Sequence, residues 1–156
     1  MSEAELKIFD DSKNCTLYTI QFMTESDSEF ERFYKKFIND ATLNEDLLRI
    51  VSFINKIADR GALERYFRPE GKMKDRVVAL PVTRSKLRLY CLRLSDRILI
   101  LGNGGKKISR TYEDNPELSG YVINLQNFDK LIKEGVKDGT ISIEENIITT
   151  DNTFDI

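Results

Sequence analysis

Hydrophobic residues recur along the chain with two different spacings, and these spacings predict its first elements. Residues 16–23 combine alternation with β-branched and aromatic side chains, so we predict a strand there and a possible shorter one around Lys7–Phe9. Residues 28–38 instead place apolar side chains at i, i+3, i+4, i+7 and i+8, which is the inner face of an amphipathic helix. A second such helix is predicted from about Asn44 to Arg60. The short link between the two favours an antiparallel helical hairpin.

Polar residues at the expected helix ends support both helices. Ser28 and Glu31 have the spacing of a capping box at the start of the first helix, and Thr42 with Glu45 repeats that spacing before the second. Gly61 follows the second helix directly and suits its C-terminal cap. We therefore expect both helices to begin and end close to these residues.

The middle of the chain has the pattern of antiparallel strands. Residues 77–80 predict a short strand, and residues 87–94, with the sequence LRLYCLRL, predict a longer one. A tight turn at Ser95-Asp96 would return the chain along residues 97–101. The glycine-rich residues 102–105 are expected to break this returning strand.

A third helix is predicted after Asn115, which suits an N-cap and precedes a proline at the first helical position. Gly135 or Gly139 would end it. Residues 140–149 could add a short strand, and the last six residues are expected to form a frayed acidic tail.

The resulting element order, β-α-α-β-β-β-α, segregates helices from antiparallel strands. We therefore predict an α+β fold in two layers, a helical hairpin packed on a small antiparallel β-sheet with an extra C-terminal helix. The length of 156 residues predicts a single domain over residues 1–156. Its core is expected at about residues 16–134, with acidic extensions at both ends.

Charge is distributed very unevenly along the chain. Residues 60–110 hold 14 lysines and arginines against 4 acidic residues, a local net charge of +10. The remaining residues hold 10 basic against 22 acidic side chains, a net charge of −12, so the total of −2 conceals the asymmetry. This pattern predicts a polyanionic partner or an acidic protein partner.

Composition narrows the possible chemistry. The chain has no histidine, which excludes Ser-His-Asp and Cys-His catalysis and any His-ligated zinc site. Cys15 and Cys91 lie in strand-like runs without metal-ligand spacing, so we interpret them as buried free thiols in a reducing cytoplasm. No apolar run approaches the roughly 20 residues that span a bilayer, and the acidic N-terminus does not read as a signal peptide. We expect neither a metal nor another cofactor.

Residues 77–107 resemble the RelE/HigB-type toxins of type II toxin–antitoxin systems, which belong to the RelE/ParE superfamily. The resemblance is carried by Arg88 and Tyr90 in LRLY, by the partner strand ILIL, and by the turn with two lysines in GNGGKK. The order of elements extends the resemblance to about residues 16–134. It implies a RelE-like fold, a cytoplasmic location and activity as a ribosome-dependent mRNA endonuclease that needs no metal. It also implies mRNA on the ribosome and a cognate antitoxin as partners, and no membrane.

The resemblance also suggests roles for individual residues. Arg88 is the first candidate for binding the scissile phosphate, because a guanidinium can contact a phosphate with two hydrogen bonds. Lys72 and Lys74 could supply positive charge or a base, and Tyr112 could stack on a base or act as an acid. The candidate RNA-binding residues are Arg68, Arg76, Arg84, Lys86, Lys106, Lys107 and Arg110.

Other interpretations stay open from the sequence. Arg88 could pair with a buried carboxylate, Tyr90 could be a core residue, and Lys106-Lys107 could be a solvated strand end. The protein could also be a non-catalytic RNA- or protein-binding module on the same fold, or a ParE-like gyrase inhibitor.

Overall fold

A computed structural model of the protein describes residues 2–69, 75–80, 85–107, 115–150 and 153–156. The helices are α1 (Glu29–Phe37), α2 (Asn44–Arg60) and α3 (Pro116–Asp138), with a 3-10 turn at Glu64–Tyr66. The strands are β1 (Glu3–Asp11), β2 (Thr16–Phe22), β3 (Arg68–Pro69), β4 (Val77–Leu80), β5 (Leu87–Ser95), β6 (Ile98–Lys106), β7 (Ile141–Glu144), β8 (Ile147–Thr150) and β9 (Phe154–Asp155). The predicted α+β class is confirmed.

The main sheet has the strand order β3-β4-β5-β6-β2-β1-β9 in the described part of the chain, and β7 and β8 form a separate hairpin. β2 runs parallel to β6, from Thr16 opposite Ile98 to Thr19 opposite Leu101, whereas the other neighbours are antiparallel. The expectation of a small, purely antiparallel sheet was therefore wrong. After β2 the chain forms α1, α2 and strands β3 to β5 before β6 pairs with β2. Parallel neighbours require a long connection of this kind.

Both faces of the sheet carry a buried apolar layer. α1 and α2 cover one face, where they pack on Leu89 and Cys91 of β5. α3 and the β7–β8 hairpin cover the other face, where they pack on Tyr90 and Leu92. Because consecutive strand residues point to opposite faces, burial on both sides explains why apolar residues occupy both sets of positions in β5. The fold thus has three layers, and the prediction of two layers was wrong.

The helix bounds follow the sequence closely. The side chain of Ser28 accepts a hydrogen bond from Glu31 N at 3.2 Å, and Glu31 Oε1 accepts from Ser28 N at 3.1 Å, which confirms the capping box of α1. α2 spans the predicted residues and ends at Gly61, whose φ is 104°. The capping box predicted with Thr42 does not form. Asp40 Oδ1 instead accepts the backbone N–H of Thr42 at 2.8 Å, so the turn before α2 is organised from Asp40.

β6 continues through the glycine-rich residues 102–105, which were predicted to break it. Pairing with β5 shifts register between Leu89 and Cys91, so β6 contains a bulge at this point. A Cβ atom on Gly104 would lie 1.9 Å from the carbonyl oxygen of Arg88. The glycines therefore allow close approach of two strands rather than a strand end.

The two ends of the chain are folded and lie side by side. Ser2 and Ile156 exchange two backbone hydrogen bonds at 3.0 and 2.9 Å, and Phe154 of β9 pairs with Ala4 of β1. Phe154 is buried against Phe128 of α3, with ring centroids 4.3 Å apart. The prediction of a frayed C-terminal tail was wrong, because Phe154 anchors the last strand in the core.

Candidate functional site

Three exposed lysines lie at one end of the sheet, where β5 begins and β6 ends. Leu87 pairs with Lys106, and the backbone N–H of Lys107 donates to the carbonyl oxygen of Lys86 at 2.7 Å. These hydrogen bonds hold the backbones of Lys86, Lys106 and Lys107 together while their side chains face solvent. We call this group the basic end. The structure thus brings together three of the predicted RNA-binding residues.

Arg88 is the nearest arginine along β5, but it is buried. It lies opposite Gly105 of β6, and only 5% of its surface is exposed. Strand alternation places its side chain on the same face as Tyr90 and Leu92, which α3 covers. Tyr90 itself is fully buried, in agreement with a core residue. The predicted phosphate-binding arginine is therefore close to the basic end in sequence and strand position, but is enclosed between the sheet and α3.

The other predicted residues are dispersed. Arg76 makes an ion pair with the buried carboxylate of Asp129 on α3, with Nε and Nη2 at 2.7 and 2.6 Å from Oδ1. Its backbone N–H also donates to Asp129 Oδ2 at 3.2 Å, so Arg76 fastens β4 to α3. Arg68 is exposed on the edge strand β3. The remaining predicted residues lie outside the described residues; they are Lys72, Lys74, Arg84, Arg110 and Tyr112.

A second polar site, which we call the α1–α3 cleft, was not predicted from the sequence. The pairing of β2 with β6 ends at Thr19 and Leu101. Nearby, Lys36 of α1 reaches Glu117 and Tyr121 of α3. The cleft between the two helices has a volume of about 310 Å³. It is lined by Asp27, Arg32, Lys35, Lys36, Asn103 and Tyr121.

Lys36 connects the elements around this cleft. Its Nζ donates to the carbonyl oxygen of Gly104 at 2.8 Å, to Tyr121 Oη at 2.9 Å and to Glu117 Oε1 at 3.3 Å. Tyr121 Oη in turn donates to Glu117 Oε1 at 2.8 Å. Burial lowers the pKa of Lys36, and burial together with the hydrogen bond to Glu117 raises the pKa of Tyr121. Lys36 therefore uses its three donors to join α1, β6 and α3.

A buried amide lines the cleft, and a buried carboxyl lies beside its lining residue Arg32. Burial raises the pKa of Glu29, and Arg32 opposes this rise through an ion pair of 2.9 Å between Nη1 and Oε2. Asn103 is 2% exposed, and its Oδ1 accepts the N–H of Gly104 at 2.8 Å. Its Nδ2 lies close enough to Glu29 to help lower that pKa, but forms no well-oriented hydrogen bond with any described residue.

The sequence indicates which residues of α1 are polar, but not that they form a cleft with α3. The periodicity of α1 indicates that Arg32, Lys35 and Lys36 lie off its apolar face, but it does not indicate what they meet. Lys36 and Tyr121 are 85 positions apart, and they meet only because α3 crosses back over the end of β6. Among the described residues, no group of three or more acidic or cysteine side chains is placed to hold a metal ion.

Comparison of the chain with models of known protein families, with curated proteins and with solved structures finds no match. None of the described helices is long and apolar enough to cross a membrane.

Proposed function

We propose that this protein binds RNA through the basic end of its sheet, as a toxin-like protein of a cytoplasmic toxin–antitoxin module. The observation that carries the proposal is the grouping of Lys86, Lys106 and Lys107, three exposed cations whose backbones are held together by strand pairing. Clustered lysines on a folded surface supply the sequence-independent part of nucleic-acid affinity by contacting phosphates. The local charge of +10 over residues 60–110 supports the same proposal.

The activity we propose for this surface is ribosome-dependent mRNA cleavage, which follows from the resemblance of residues 77–107 to RelE/HigB toxins. An acidic segment of the cognate antitoxin would then bind the same lysines and block them. In this proposal Arg88 stabilises the scissile phosphate, which requires its buried side chain to become accessible when the mRNA binds. Lys72, Lys74 and Tyr112 are the candidates for the base and the acid.

A second candidate function is a non-catalytic RNA-binding module on this fold. It is favoured by the burial of Arg88 and by the ion pair of Arg76, because both arginines are engaged in the interior rather than presented at the basic end. RNA binding through the three lysines is common to both candidates, and only cleavage separates them.

RNA binding is tested by fluorescence anisotropy with a labelled single-stranded RNA. We expect the triple variant Lys86→Gln, Lys106→Gln, Lys107→Gln to bind at least about 10-fold more weakly than the wild type, since each lost phosphate contact removes a favourable electrostatic term. The matched control is a triple Gln variant with the same change in charge at other exposed lysines of the chain, Lys13, Lys130 and Lys137. Equal losses in the two variants would contradict a localised RNA site.

Cleavage is tested by inducible expression followed by mapping of mRNA 5′ ends on translating ribosomes. New 5′ ends within translated codons would support the nuclease. Because Arg88 is buried, loss of these ends in an Arg88→Lys variant, which keeps the positive charge, implicates the guanidinium only if circular dichroism shows that the variant is folded. Normal growth with intact mRNA, in cells where the protein is bound to RNA, would leave the non-catalytic module as the function. A change in DNA supercoiling without mRNA cleavage would point instead to gyrase.

A further inference from the structure

We propose that the α1–α3 cleft is an oxyanion-binding site, in which Arg32 and Asn103 donate hydrogen bonds to a phosphate group. The phosphate could belong to a small phosphorylated molecule or to an RNA phosphodiester. In the second case the inference rests on the proposed RNA binding, and in the first case it is independent of it.

Asn103 provides the first argument, because only one half of its amide makes a well-formed hydrogen bond with a described residue. The other half, Nδ2, is near the Glu29 carboxyl but is not well oriented toward it. Asn103 Oδ1 accepts the N–H of Gly104, and this contact fixes the orientation of the amide. Nδ2 is then held inside the lining of the cleft, buried and without a well-formed hydrogen bond among the described residues. A buried donor left in this state is costly and calls for a partner. An acceptor atom of a bound ligand would supply that partner.

The charge of the lining provides the second argument. Among the described lining residues, Arg32, Lys35 and Lys36 are basic and Asp27 is acidic. Glu29 and Glu117, which pair with Arg32 and Lys36, lie beside this lining. Both carboxylate oxygens of Asp27 are occupied by Lys35 Nζ, at 3.0 and 2.9 Å. All three N–H donors of Lys36 are hydrogen-bonded to protein oxygens, so Lys36 interacts with a ligand only through its charge.

Arg32 is the side chain best suited to bind the oxyanion directly. Its hydrogen bond to Glu29 uses Nη1, and a guanidinium has five N–H donors in a planar arrangement that matches a phosphate. About 40% of its side chain is exposed, so solvent and ligand can reach it. The raised pKa of Glu29 eases neutralisation of the carboxyl that would otherwise repel the ligand.

The cleft adjoins the basic end. Gly104 accepts a hydrogen bond from Lys36 and donates one to Asn103, and it lies two residues before Lys106 on β6. An RNA strand that contacts the three lysines could therefore place a neighbouring phosphate in the cleft. A volume of about 310 Å³ is at the small end of ligand pockets and suits a phosphate group better than a whole dinucleotide.

The test is NMR titration of the full-length protein, following backbone amide shifts with three probes at constant ionic strength: inorganic phosphate, a 5′-mononucleotide and a short single-stranded RNA. We expect saturable shifts at Asn103, Gly104 and Arg32. The variant Arg32→Gln should bind at least about 10-fold more weakly, because it loses a charge-assisted hydrogen bond. Arg49→Gln is the matched control, since Arg49 makes an i,i+3 ion pair with the buried Asp46 and is 53% exposed.

The outcomes separate the sources of the phosphate and separate this inference from the RNA-binding proposal. Saturation by inorganic phosphate or the mononucleotide identifies a small-molecule site, even if RNA does not bind. Saturation by RNA alone identifies a phosphodiester site. The inference is overturned if no probe gives saturable shifts at the cleft, or if Arg49→Gln weakens binding as much as Arg32→Gln. Asn103→Asp, which replaces the Nδ2 donor by an acceptor, should also abolish binding; if that variant does not fold, the two arginine variants decide the question.

Discussion

The continuation of β6 through its glycines makes a sharp prediction for Gly104→Ala. The new Cβ would lie 1.9 Å from Arg88 O, 2.9 Å from Arg88 C and 3.0 Å from Leu89 Cα. All three are backbone atoms of the paired strand, so no side chain can rotate away to relieve the clash. Forcing extra atoms into a packed site typically costs about 1–3 kcal/mol, and we expect about 3 kcal/mol or more here because the strands themselves must separate.

Gly120→Ala provides a control of the same chemistry. Gly120 is in α3, and a Cβ there would meet nothing within 4 Å. Alanine should therefore stabilise the protein by about 1 kcal/mol through its higher helix propensity. The assay is urea unfolding followed by far-ultraviolet circular dichroism for the wild type and both variants. A Gly104→Ala protein within about 0.5 kcal/mol of the wild type would refute the close strand approach.

Three further predictions concern buried charged groups and thiols. Asp129→Asn should lower the free energy of unfolding by about 2 kcal/mol, less than for a fully enclosed pair because Arg76 is 30% exposed and can regain water. The raised pKa of Glu29 stabilises the fold below its unfolded value of 4.5, and that effect is lost as pH rises through the folded pKa. The free energy of unfolding of the wild type minus that of Glu29→Gln should therefore fall as the pH is raised above 4.5. Burial raises the pKa of Cys15 to about 11 and that of Cys91 further, so neither thiol should react with a thiol reagent before the protein unfolds.

Each of these predictions has a distinct contrary result. Urea midpoints equal in wild type and Asp129→Asn would mean that the ion pairs of Asp129 with Arg76 and Lys133 contribute nothing measurable to stability. A stability difference for Glu29→Gln that is constant or grows with pH would contradict the raised pKa. Rapid labelling of one thiol in the native protein would show that its layer of the sheet opens to solvent.

Local signals explain which elements were predicted correctly from the sequence. The bounds of α2 and the capping box of α1 depend on residues within one or two turns of each other, such as Ser28 and Glu31. β4 was also predicted correctly, because residues 77–80 form a short continuous apolar run. In each case the deciding interactions lie within the predicted segment.

The errors come from interactions between distant segments. A glycine in the sequence is compatible both with the end of a strand and with the close approach of two paired strands. At Gly104 the position of the Arg88 carbonyl on the neighbouring strand decides between them. The third layer was missed because an apolar face of α3 does not reveal which side of the sheet it will cover. Phe154 was assigned to a tail because its partner, Phe128, lies 26 positions earlier.

The features of the candidate site also differ in whether they depend on local or on distant interactions. Exposure of Lys86, Lys106 and Lys107 follows from their positions at or beside strand ends. The sequence placed them beside strands, although β6 continues to Lys106 and was predicted to end at Leu101. The burial of Arg88 and the pairing of Arg76 depend on α3, so residue type alone could not separate these arginines from the exposed lysines. The α1–α3 cleft depends on the same helix.

The salt dependence of RNA affinity tests the central claim most directly. For single-stranded nucleic acid, each phosphate contact contributes about 0.7 to the slope of log affinity against log salt concentration. If Lys86, Lys106 and Lys107 each contact a phosphate, replacing all three by Gln should reduce the slope by about 2. The triple control variant at Lys13, Lys130 and Lys137 should keep the wild-type slope. An unchanged slope in the basic-end variant would contradict RNA binding at this surface.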